Sequence, residues 1–458
     1  MGVFEFVASA LLEKPGDPFE EEIMRYHWND IPALLRTPIG RKQLIIGLYH
    51  RAWPILSLLA MYYRRTLLHK TFIVTIVGSF GKTTTTRAVY RVLCGQEKFS
   101  FGHNAWSSVA LAVLRIRPDD RHAVIEVGIE GPGQMTNYAR MIHPNMTVVT
   151  SIGSEHNRSL RTLEETRKEK SEMVRMLPPS GFAVLNGDDP NVRWMATQTQ
   201  ARVVTFGLGK DNEVRASDII LDWPKGTKFK LHAWGEVREV SIQLIGRVMV
   251  YPILAAIAVA LVRGLPLDQT LSALETFPPS PGRLEPIRLS NGAFILCDDF
   301  KSPLETIDVA LDVFSEIPAE RRIIVLGDVS EPPGSTGPIY RYIGGRVAKI
   351  TSKAIFVSES KKHIQDYVTG AKRGGLALGS MVKVHRNVLK IVEILQEDVR
   401  LGDVILIKGR TNQRLSRIGL ALIGKTVHCN ISSCSIRPLR CEDCPMLGRG
   451  WNGLRVVM

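Results

Sequence analysis

The amino-acid sequence predicts an α/β protein whose sheets are mainly parallel. From Thr71 onward, short runs of β-branched residues alternate with helical stretches, which is typical of this class. A Pro-rich stretch at residues 278–282 separates two such series and predicts a domain boundary. With 458 residues, the chain is long enough for about three domains.

The predicted strands and helices fall into two series. In the first, a helix at residues 83–93 follows the first strand, and the strands lie at 71–77, 123–127 and 147–152. The second series has helical segments between its strands, which lie at residues 293–297, 322–326, 354–357 and 404–407. From about Thr426 to the end, no periodicity indicates a helix or a strand.

The net charge of +14 is concentrated near the two ends of the chain. Residues 41–70 carry six Lys/Arg and no acid, and residues 405–458 carry nine Lys/Arg against two acids. The long middle is therefore nearly neutral, which disfavours a protein that grips nucleic acid along its body. Basic ends suit attraction to an anionic lipid surface, and they equally suit ordinary solvated faces.

The beginning of the chain gives no signal-peptide pattern, because residues 1–12 are apolar without a preceding basic stretch, and we expect a cytoplasmic protein. The most hydrophobic segment spans residues 44–63, but its uncharged run, 52–63, is too short to cross a membrane. Basic residues flank the segment, and it contains Trp53, Tyr62 and Tyr63. It is either an interfacial helix on the inner face of a membrane or a helix packed against the rest of the protein.

The strongest motif follows the first predicted strand and precedes a helix: Gly78-Ser79-Phe80-Gly81-Lys82-Thr83-Thr84. Glycines let backbone N–H groups converge on phosphate oxygens, the lysine adds a positive charge, and the threonine hydroxyl can bind Mg²⁺. The common P-loop pattern has a glycine where this chain has Ile76, so the loop is a shortened form. The motif predicts a site for a nucleotide phosphate.

This shortened loop resembles the ATP-binding loop of the Mur ligases, which join an amino acid or peptide to a carboxylate in building the peptidoglycan precursor. Further matches follow in the family's order: a strand with Glu126, a strand with His156, the segment Lys168-Glu169-Lys170, the turn 186–190, the hinge 281–285, the turn 298–301 and the segments 326–331 and 407–410. The last two resemble the branch that adds D-alanyl-D-alanine. The resemblance covers about residues 71–424.

The resemblance implies a central ATP-binding Mur ligase domain at 71–282 and a Rossmann-like ligase domain at 283–425. A helical, basic segment at 1–70 precedes them, and a Cys-containing tail at 426–458 follows. It also implies ATP and Mg²⁺ as cofactors, and ATP contacts from the loop and three other residues: Gly78, Ser79, Phe80, Gly81, Lys82, Thr83, Thr84, Arg283, Asp299 and Lys301.

The same resemblance implies how the catalytic residues divide the work. Lys82 and Arg283 would neutralise phosphate charge, and Thr83 with Glu126 would hold one Mg²⁺. His156, with a carbamate on Lys170, would hold a second ion, since carbamylation turns a cation into an oxygen ligand. Lys168 is the alternative lysine for that modification.

Two departures from the family bear on substrates. The family's H-N-x-x-N motif, whose asparagine contacts adenine, corresponds to the stretch 246–252, where both asparagines and the histidine are absent. The N-terminal domain that holds the UDP part of the sugar nucleotide has no counterpart in residues 1–70. We therefore expect adenine recognition to be rebuilt or lost, and the carboxylate to lie on a lipid-linked or polymeric glycan.

The tail contains four of the six cysteines, Cys429, Cys434, Cys441 and Cys444. In a cytosolic chain such closely spaced thiols favour Zn²⁺ or an iron–sulfur cluster over disulfides, and free thiols remain the alternative.

The sequence thus predicts an ADP-forming ligase that joins a carboxylate to an amine through an acyl phosphate. The alternative is a catalytically silent Mur-ligase-like scaffold or partner subunit. Retention of Lys82, Thr83, Glu126, His156 and Lys170 together favours the enzyme. The sequence leaves both substrates and the oligomeric state open, and it indicates no nucleic-acid partner.

Overall fold

The computed structural model describes residues 32, 35, 38–95, 104–154, 157–332, 334–434, 436 and 439–450. The predicted α/β class is confirmed, with two sheets and helices packed on them. The strands are β1 Phe72–Val77, β2 His122–Glu126, β3 Met146–Val149, β4 Phe182–Asn186, β5 Arg202–Gly207, β6 Val214–Asp222, β7 Gly226–Ala233, β8 Glu236–Ile242, β9 Glu285–Arg288, β10 Phe294–Asp298, β11 Arg321–Leu326, β12 Lys353–Ser358, β13 Met381–His385 and β14 Asp403–Lys408.

The helices surround these strands on both faces of each sheet. They are α1 Pro38–Arg51, α2 Trp53–Thr66, α3 Lys82–Cys94, α4 Ser107–Leu114, α5 Gln134–Ile142, α6 Asn157–Leu160, α7 Leu163–Arg175, α8 Pro190–Trp194, α9 Val250–Val262, α10 Leu267–Glu275, α11 Leu304–Glu316, α12 Thr336–Ala348, α13 Lys361–Arg373, α14 Val388–Asp398, α15 Ser416–Leu422 and α16 Met446–Arg449.

The first sheet has eight strands in the order β2-β1-β3-β4-β5-β6-β7-β8. Its first six strands are parallel, whereas β6, β7 and β8 are joined as antiparallel neighbours. The sequence did not predict this antiparallel part, nor the parallel strands β4 and β5. Exposed residues alternate with buried ones along β7, so one face of this part is solvated and the strands lack the continuous apolar runs of buried parallel strands.

The second sheet has six strands in the order β13-β12-β11-β14-β10-β9. All pairs are parallel except the edge pair β9–β10. The four strands predicted for this half are present, and β9 and β13 are additional. Because parallel strands end at the same edge, the turns after β10, β11 and β14 lie close together.

Apolar side chains fill the space between each sheet and its helices. In the first half, α9 is buried along almost its whole length and packs against the sheet. In the second half, α11 and α12 cover one face of the sheet, and α14 and α15 cover the other. The two sheets lie on either side of the chain segment 276–284, consistent with the predicted boundary near 282, and the exact domain limits stay predictions.

In the described residues after 37, the two helices α1 and α2 precede the first strand, where the sequence predicted a single helical segment. Pro54 lies in the first turn of α2. Because proline has no backbone N–H, it cannot donate a hydrogen bond to the preceding turn, and it is tolerated at the start of a helix. No single helix in the described residues is long and apolar enough to cross a membrane. The pair formed by residues 44–51 and α2, bent by 71°, reaches that length and composition together.

The tail packs against the second half of the protein through the segment 412–417. The Arg417 side chain donates to the carbonyls of Cys429 and Ile431, each at 2.8 Å, and the Cys434 amide donates to the carbonyl of Asn412 at 2.7 Å. The tail contains the short helix α16, although its sequence shows no helical periodicity. These hydrogen bonds tie the tail to the second half of the protein.

Candidate active site

A tight glycine loop connects β1 to α3, where the sequence predicted phosphate binding. Gly78 and Gly81 have φ values of 148° and 80°, which side chains rarely adopt. A Cβ atom on Gly78 would lie 2.0 Å from Oγ1 of Thr150, so the loop also needs glycine to pass this neighbour. The Ser79 amide donates to the carbonyl of Ser151 at 2.8 Å, which ties the loop to the segment after β3.

Lys82, the first residue of α3, folds back over this loop. Its Nζ donates to the carbonyls of Gly78 at 2.8 Å and Ser79 at 3.0 Å, and only 5% of the residue is exposed. Lys82 is therefore buried, because the loop carbonyls accept hydrogen bonds from its amine. Burial lowers the pKa of Lys82 to about 8, with Glu126 raising it and Arg283 lowering it.

The Glu126 carboxylate lies beside the loop, at the end of β2. Its Oε1 accepts hydrogen bonds from the Thr83 hydroxyl at 3.3 Å and from the Asn104 side chain at 2.6 Å. The structure thus brings together the two predicted ligands of the first Mg²⁺, and Asn104 holds the carboxylate in position. Carboxylate and hydroxyl oxygens are the hard ligands that Mg²⁺ prefers.

Lys170 reaches the same loop from the middle of α7. It is 1% exposed, and its Nζ donates to the Ser79 hydroxyl at 2.9 Å. Burial holds the pKa of Lys170 well below its usual range, and the charge of Lys82 lowers it further. The alternative lysine, Lys168, points to solvent, where it pairs with Glu164 at 2.8 Å. The geometry therefore favours Lys170 over Lys168 for a modified lysine.

The second half of the protein adds two more cations to this site. Arg283 stacks on Phe300, with its guanidinium carbon 4.0 Å from the ring centre, and lies within electrostatic range of Glu126. Lys301 is close enough to Lys82 and Glu126 for their charges to affect it, and burial holds its pKa well below the usual range. Three basic side chains from both halves therefore lie within electrostatic range of one carboxylate, and Lys170 lies within range of Lys82.

Asp299, a predicted ATP contact, is buried in the turn after β10. Its Oδ2 accepts a hydrogen bond from the Ser416 amide at 2.6 Å, at the start of α15. The neighbouring Asp298 pairs with the buried Lys408 at 2.7 Å. Asp299 therefore connects the β10 turn to α15, and its predicted contact with a ribose stays a prediction.

Two buried carboxylate atoms face this region from the second half. Within the described residues, Oε2 of Glu305 and Oε2 of Glu331 have no hydrogen-bond partner. The other oxygen of Glu305 accepts from the Ser154 amide at 3.1 Å, across the boundary between the halves. Glu331 acts electrostatically on Lys301. His156, the predicted ligand of a second ion, lies outside the described residues.

A separate cavity of about 610 Å³ opens beyond the glycine loop, at the ends of β4 and β5. It is lined by Gly187, Asp188, Pro190, Arg193, Leu208, Gly209, Arg247 and Tyr251. Asp188 fixes its wall by accepting from the Tyr251 hydroxyl at 2.9 Å and the Gly209 amide at 3.0 Å. These hydrogen bonds lower the pKa of Asp188 in spite of its partial burial.

The sequence reading did not assign Tyr251 or Arg247 to the site. The signal for them was present, because they stand in the stretch 246–252 that replaces the family's adenine-contacting asparagines. The turn that carries Asp188 is tied to the segment after β3, because Oδ2 of Asp189 accepts from the Ile152 amide at 2.7 Å. Cavity and loop therefore lie along one edge of the same sheet.

Comparison with known proteins explains this arrangement. A model of the Mur ligase middle domain matches residues 76–260, and a model of the Mur ligase glutamate ligase domain matches residues 282–411. The chain belongs to the Mur ligase family. This confirms the predicted family and fold class and, at the level of the family, the predicted ATP-dependent ligase class. Both matched regions contribute cations to the Mur ligase site described above.

Curated relatives of this Mur ligase include two D-alanyl-D-alanine-adding enzymes. It is 28% identical to the UDP-N-acetylmuramoyl-tripeptide–D-alanyl-D-alanine ligase of Escherichia coli over 57% of this chain and 58% of that one. It is 27% identical to the Mycobacterium tuberculosis enzyme of the same name over 77% of this chain and 72% of that one. The chain thus spans less than two thirds of the first of these relatives.

Solved structures show the same fold. MurF from Thermotoga maritima in complex with ADP superposes with a TM-score of 0.70 at 20% identity, covering 81% of this chain and 82% of that one. MurF from Acinetobacter baumannii gives a TM-score of 0.72 at 21% identity, covering 81% and 80%. At these identities the likeness concerns the fold alone.

The four tail cysteines of this Mur ligase lie outside both matched regions. Cys434 and Cys444 pack against Cys429 and two buried isoleucines, and burial, with Cys434 nearby, raises the pKa of Cys441 to about 11. In the part of the chain that the structure describes, no three His, Cys, Asp or Glu side chains are placed to hold a metal ion. The predicted zinc or iron–sulfur site therefore stays a proposal.

Proposed function

We propose that this protein uses ATP to join a carboxylate to an amine through an acyl phosphate, releasing ADP and phosphate. The observation that carries the proposal is the convergence of Lys82, Arg283 and Lys301 on Glu126, with the Lys170 amine beside Lys82. So many buried cations oppose one another unless an anion lies between them. A nucleoside triphosphate that approaches the carboxylate of the substrate supplies that negative charge.

The loop and its lysine bind the phosphates in this proposal. Backbone N–H groups at the start of α3 face the phosphate oxygens, and Lys82 moves from the loop carbonyls to the transferred phosphoryl group. Arg283 and Lys301 approach from the second half and neutralise the oxygens on the other side. Because these groups come from both halves, the site is complete only when the halves are together.

The donor set fits Mg²⁺ at Thr83 and Glu126. Their oxygens lie 3.3 Å apart, and Asn104 orients the carboxylate at 2.6 Å. The ion supplies positive charge to the β- and γ-phosphates when it is bound. His156 and a carbamate on Lys170 are proposed for a second ion. Carbamylation requires a neutral amine, and the lowered pKa of Lys170 supports that state.

The reaction then divides into two displacements. A carboxylate oxygen attacks the γ-phosphorus, the bond to the β-phosphate oxygen breaks, and ADP leaves with the electron pair. The nitrogen of the amine next attacks the acyl carbon, and phosphate leaves as that nitrogen loses a proton. The cations around Glu126 stabilise the negative charge that gathers on the phosphoryl oxygens in both steps.

The carboxylate is proposed to belong to a cell-surface glycan or its precursor, and the amine to an amino acid or peptide. The names of the relatives support this proposal, and so do the helices α1 and α2, which lie before β1. A cytoplasmic location at the inner face of the membrane is part of the same proposal. Phosphate release screened across amines and uronic or muramic carboxylates tests it, because release must depend on both partners.

A silent scaffold predicts a different outcome of that screen. It gives no ADP or phosphate with any pair of substrates, and Lys82→Met then changes nothing. The retained cavity beside the loop argues against the scaffold, because a protein without nucleotide has no need for it. We propose that this cavity holds adenine, with Tyr251 and Arg247 replacing the missing asparagines.

Replacing Tyr251 with alanine tests the adenine cavity. We expect the KM for ATP to rise roughly tenfold, the equivalent of about 1.4 kcal/mol of lost stacking, while kcat changes little. Steady-state phosphate release at varied ATP concentration measures both constants. Tyr251→Phe keeps the ring and should behave like the parent, and Tyr342→Ala removes an exposed tyrosine elsewhere as a matched control. An unchanged KM in Tyr251→Ala would place adenine elsewhere.

For the tail we propose one tetrahedral metal site built from Cys429, Cys434, Cys441 and Cys444, with Zn²⁺ or an iron–sulfur cluster as occupant. Support comes from the small core of this segment, which buries only Cys429, Ile431 and Ile436 within its described cluster. So few apolar residues rarely hold a segment in place without a staple. The cysteines all carry free thiols in the structure and are available as ligands.

Elemental analysis of anaerobically purified protein should find about one equivalent of zinc, or iron with visible absorbance. Cys441→Ser with Cys444→Ser should remove most of it, because two thiolates are lost. Cys94→Ser, which changes a half-buried cysteine outside the tail, should leave the metal in place. Protein without zinc or iron, and with four freely titrating tail thiols, would contradict the site.

A further inference from the structure

The outer surface of α1 and α2 exposes a row of large apolar side chains. On α2, Ile55, Leu59 and Tyr62 stand at positions i, i+4 and i+7 and are 65%, 53% and 70% exposed. On α1, Ile45 and Leu48 are likewise more than half exposed. Large contiguous apolar surface on a folded protein usually marks an interaction site.

The inner surface of α2 is already occupied. Trp53 meets Tyr138 edge-on with ring centres 5.6 Å apart, and the buried Arg64 donates to the carbonyls of Ile142 at 3.0 Å and His143 at 3.1 Å. The helix is therefore fixed to the first sheet through α5. Since one face is buried in protein, α2 can present only its outer face to another surface.

The charged residues of the segment that forms this face have a single sign. Residues 38–70 contain six Lys/Arg and no Asp or Glu. Arg41, Arg51, Arg65 and Lys70 are all exposed on α1, α2 or the turn that follows. A second copy of the chain would bring two such basic rims together, which like-charge repulsion disfavours. An anionic surface with an apolar interior complements both the rim and the face.

We propose that α1 and α2 dock this protein on the surface of an anionic lipid bilayer. The aliphatic side chains enter the acyl boundary, Tyr62 lies at the headgroup level, and the basic rim contacts the lipid phosphates. This docking is independent of catalysis. It would place the site beside the membrane. Trp53 of α2 packs edge-on against Trp106, with ring centres 6.2 Å apart, and Trp106 lies two residues after Asn104, which holds the Glu126 carboxylate.

Flotation with vesicles tests the proposal on the full chain. We expect the protein to float with phosphatidylglycerol–phosphatidylcholine vesicles and not with pure phosphatidylcholine vesicles. Ile55→Gln with Leu59→Gln should weaken partitioning at least about tenfold, because the buried apolar area is lost. Arg65→Glu should weaken it about fivefold or more, and high salt should have the same effect.

A matched control uses Leu378→Gln with Leu401→Gln, which alters two leucines of similar exposure on the second half. This variant should float like the parent protein, and thermal unfolding should show that both pairs stay folded. Three results would overturn the proposal: no flotation of the parent, equal loss in the control, or flotation that survives Ile55→Gln with Leu59→Gln. If the parent protein forms dimers and does not bind vesicles, and only Ile55→Gln with Leu59→Gln dissociates those dimers, the face is instead a contact between two copies of the chain.

Discussion

Replacing Lys82 with methionine is expected to lower ATP-dependent phosphate release by at least about 10²-fold. The amine lies over the glycine loop and faces the other cations of the site, so its removal takes away charge where the phosphoryl group is transferred. Methionine keeps the length of the buried stem. The carbonyls of Gly78 and Ser79 lose a donor, so stability should fall by about 1 kcal/mol.

The control for this variant is Lys361→Met. Lys361 is also the first residue of a helix, α13, but it is exposed. The Lys361→Met variant should keep full activity. It therefore distinguishes the loss of a charge at the start of a helix from the loss of the contact with the glycine loop. Phosphate release and thermal unfolding are measured on both variants. Unchanged turnover in Lys82→Met would refute the ligase proposal.

The second large effect is expected at Lys170. Lys170→Ala should abolish turnover, and a short carboxylic acid added to the assay should restore part of it by replacing the carbamate oxygens. The same acid should not rescue Lys82→Met, because that variant lacks a cation rather than an oxygen ligand. His156→Ala should also lose activity without rescue. Failure of the acid to restore any activity would count against the carbamate.

Lys170→Met is expected to raise the stability of the protein, whereas Lys82→Met lowers it. Within the described residues, the buried amine donates one hydrogen bond, to Ser79, and methionine fills the space without a polar group. We expect unfolding to shift upward by a few degrees, which corresponds to about 1–2 kcal/mol. Lys168→Met, at the exposed alternative, should change neither activity nor stability. A ¹³C signal from labelled bicarbonate on Lys170 would identify the modification directly.

Seven of the parallel strands and the glycine loop could be predicted from sequence, since their signals are local, whereas the parallel strands β4, β5 and β13 were not predicted. A run such as β1 is apolar because both of its faces are buried, and glycines mark the turn that needs positive φ. The antiparallel strands β6 to β8 were missed, because half-exposed strands alternate and carry weaker apolar signals. Pairing between distant segments has no local signal at all.

The sequence alone determined the family, the order of the motifs and the identity of the candidate residues, because these depend on residue type and spacing along the chain. The tertiary structure decided what those residues touch. It buried Lys82, distinguished Lys170 from Lys168, and brought Arg283 and Lys301 to Glu126 from another half of the chain. It also placed Tyr251 against Asp188 in a cavity. Burial and charge proximity arise only when segments far apart in sequence pack together, so no local pattern encodes them.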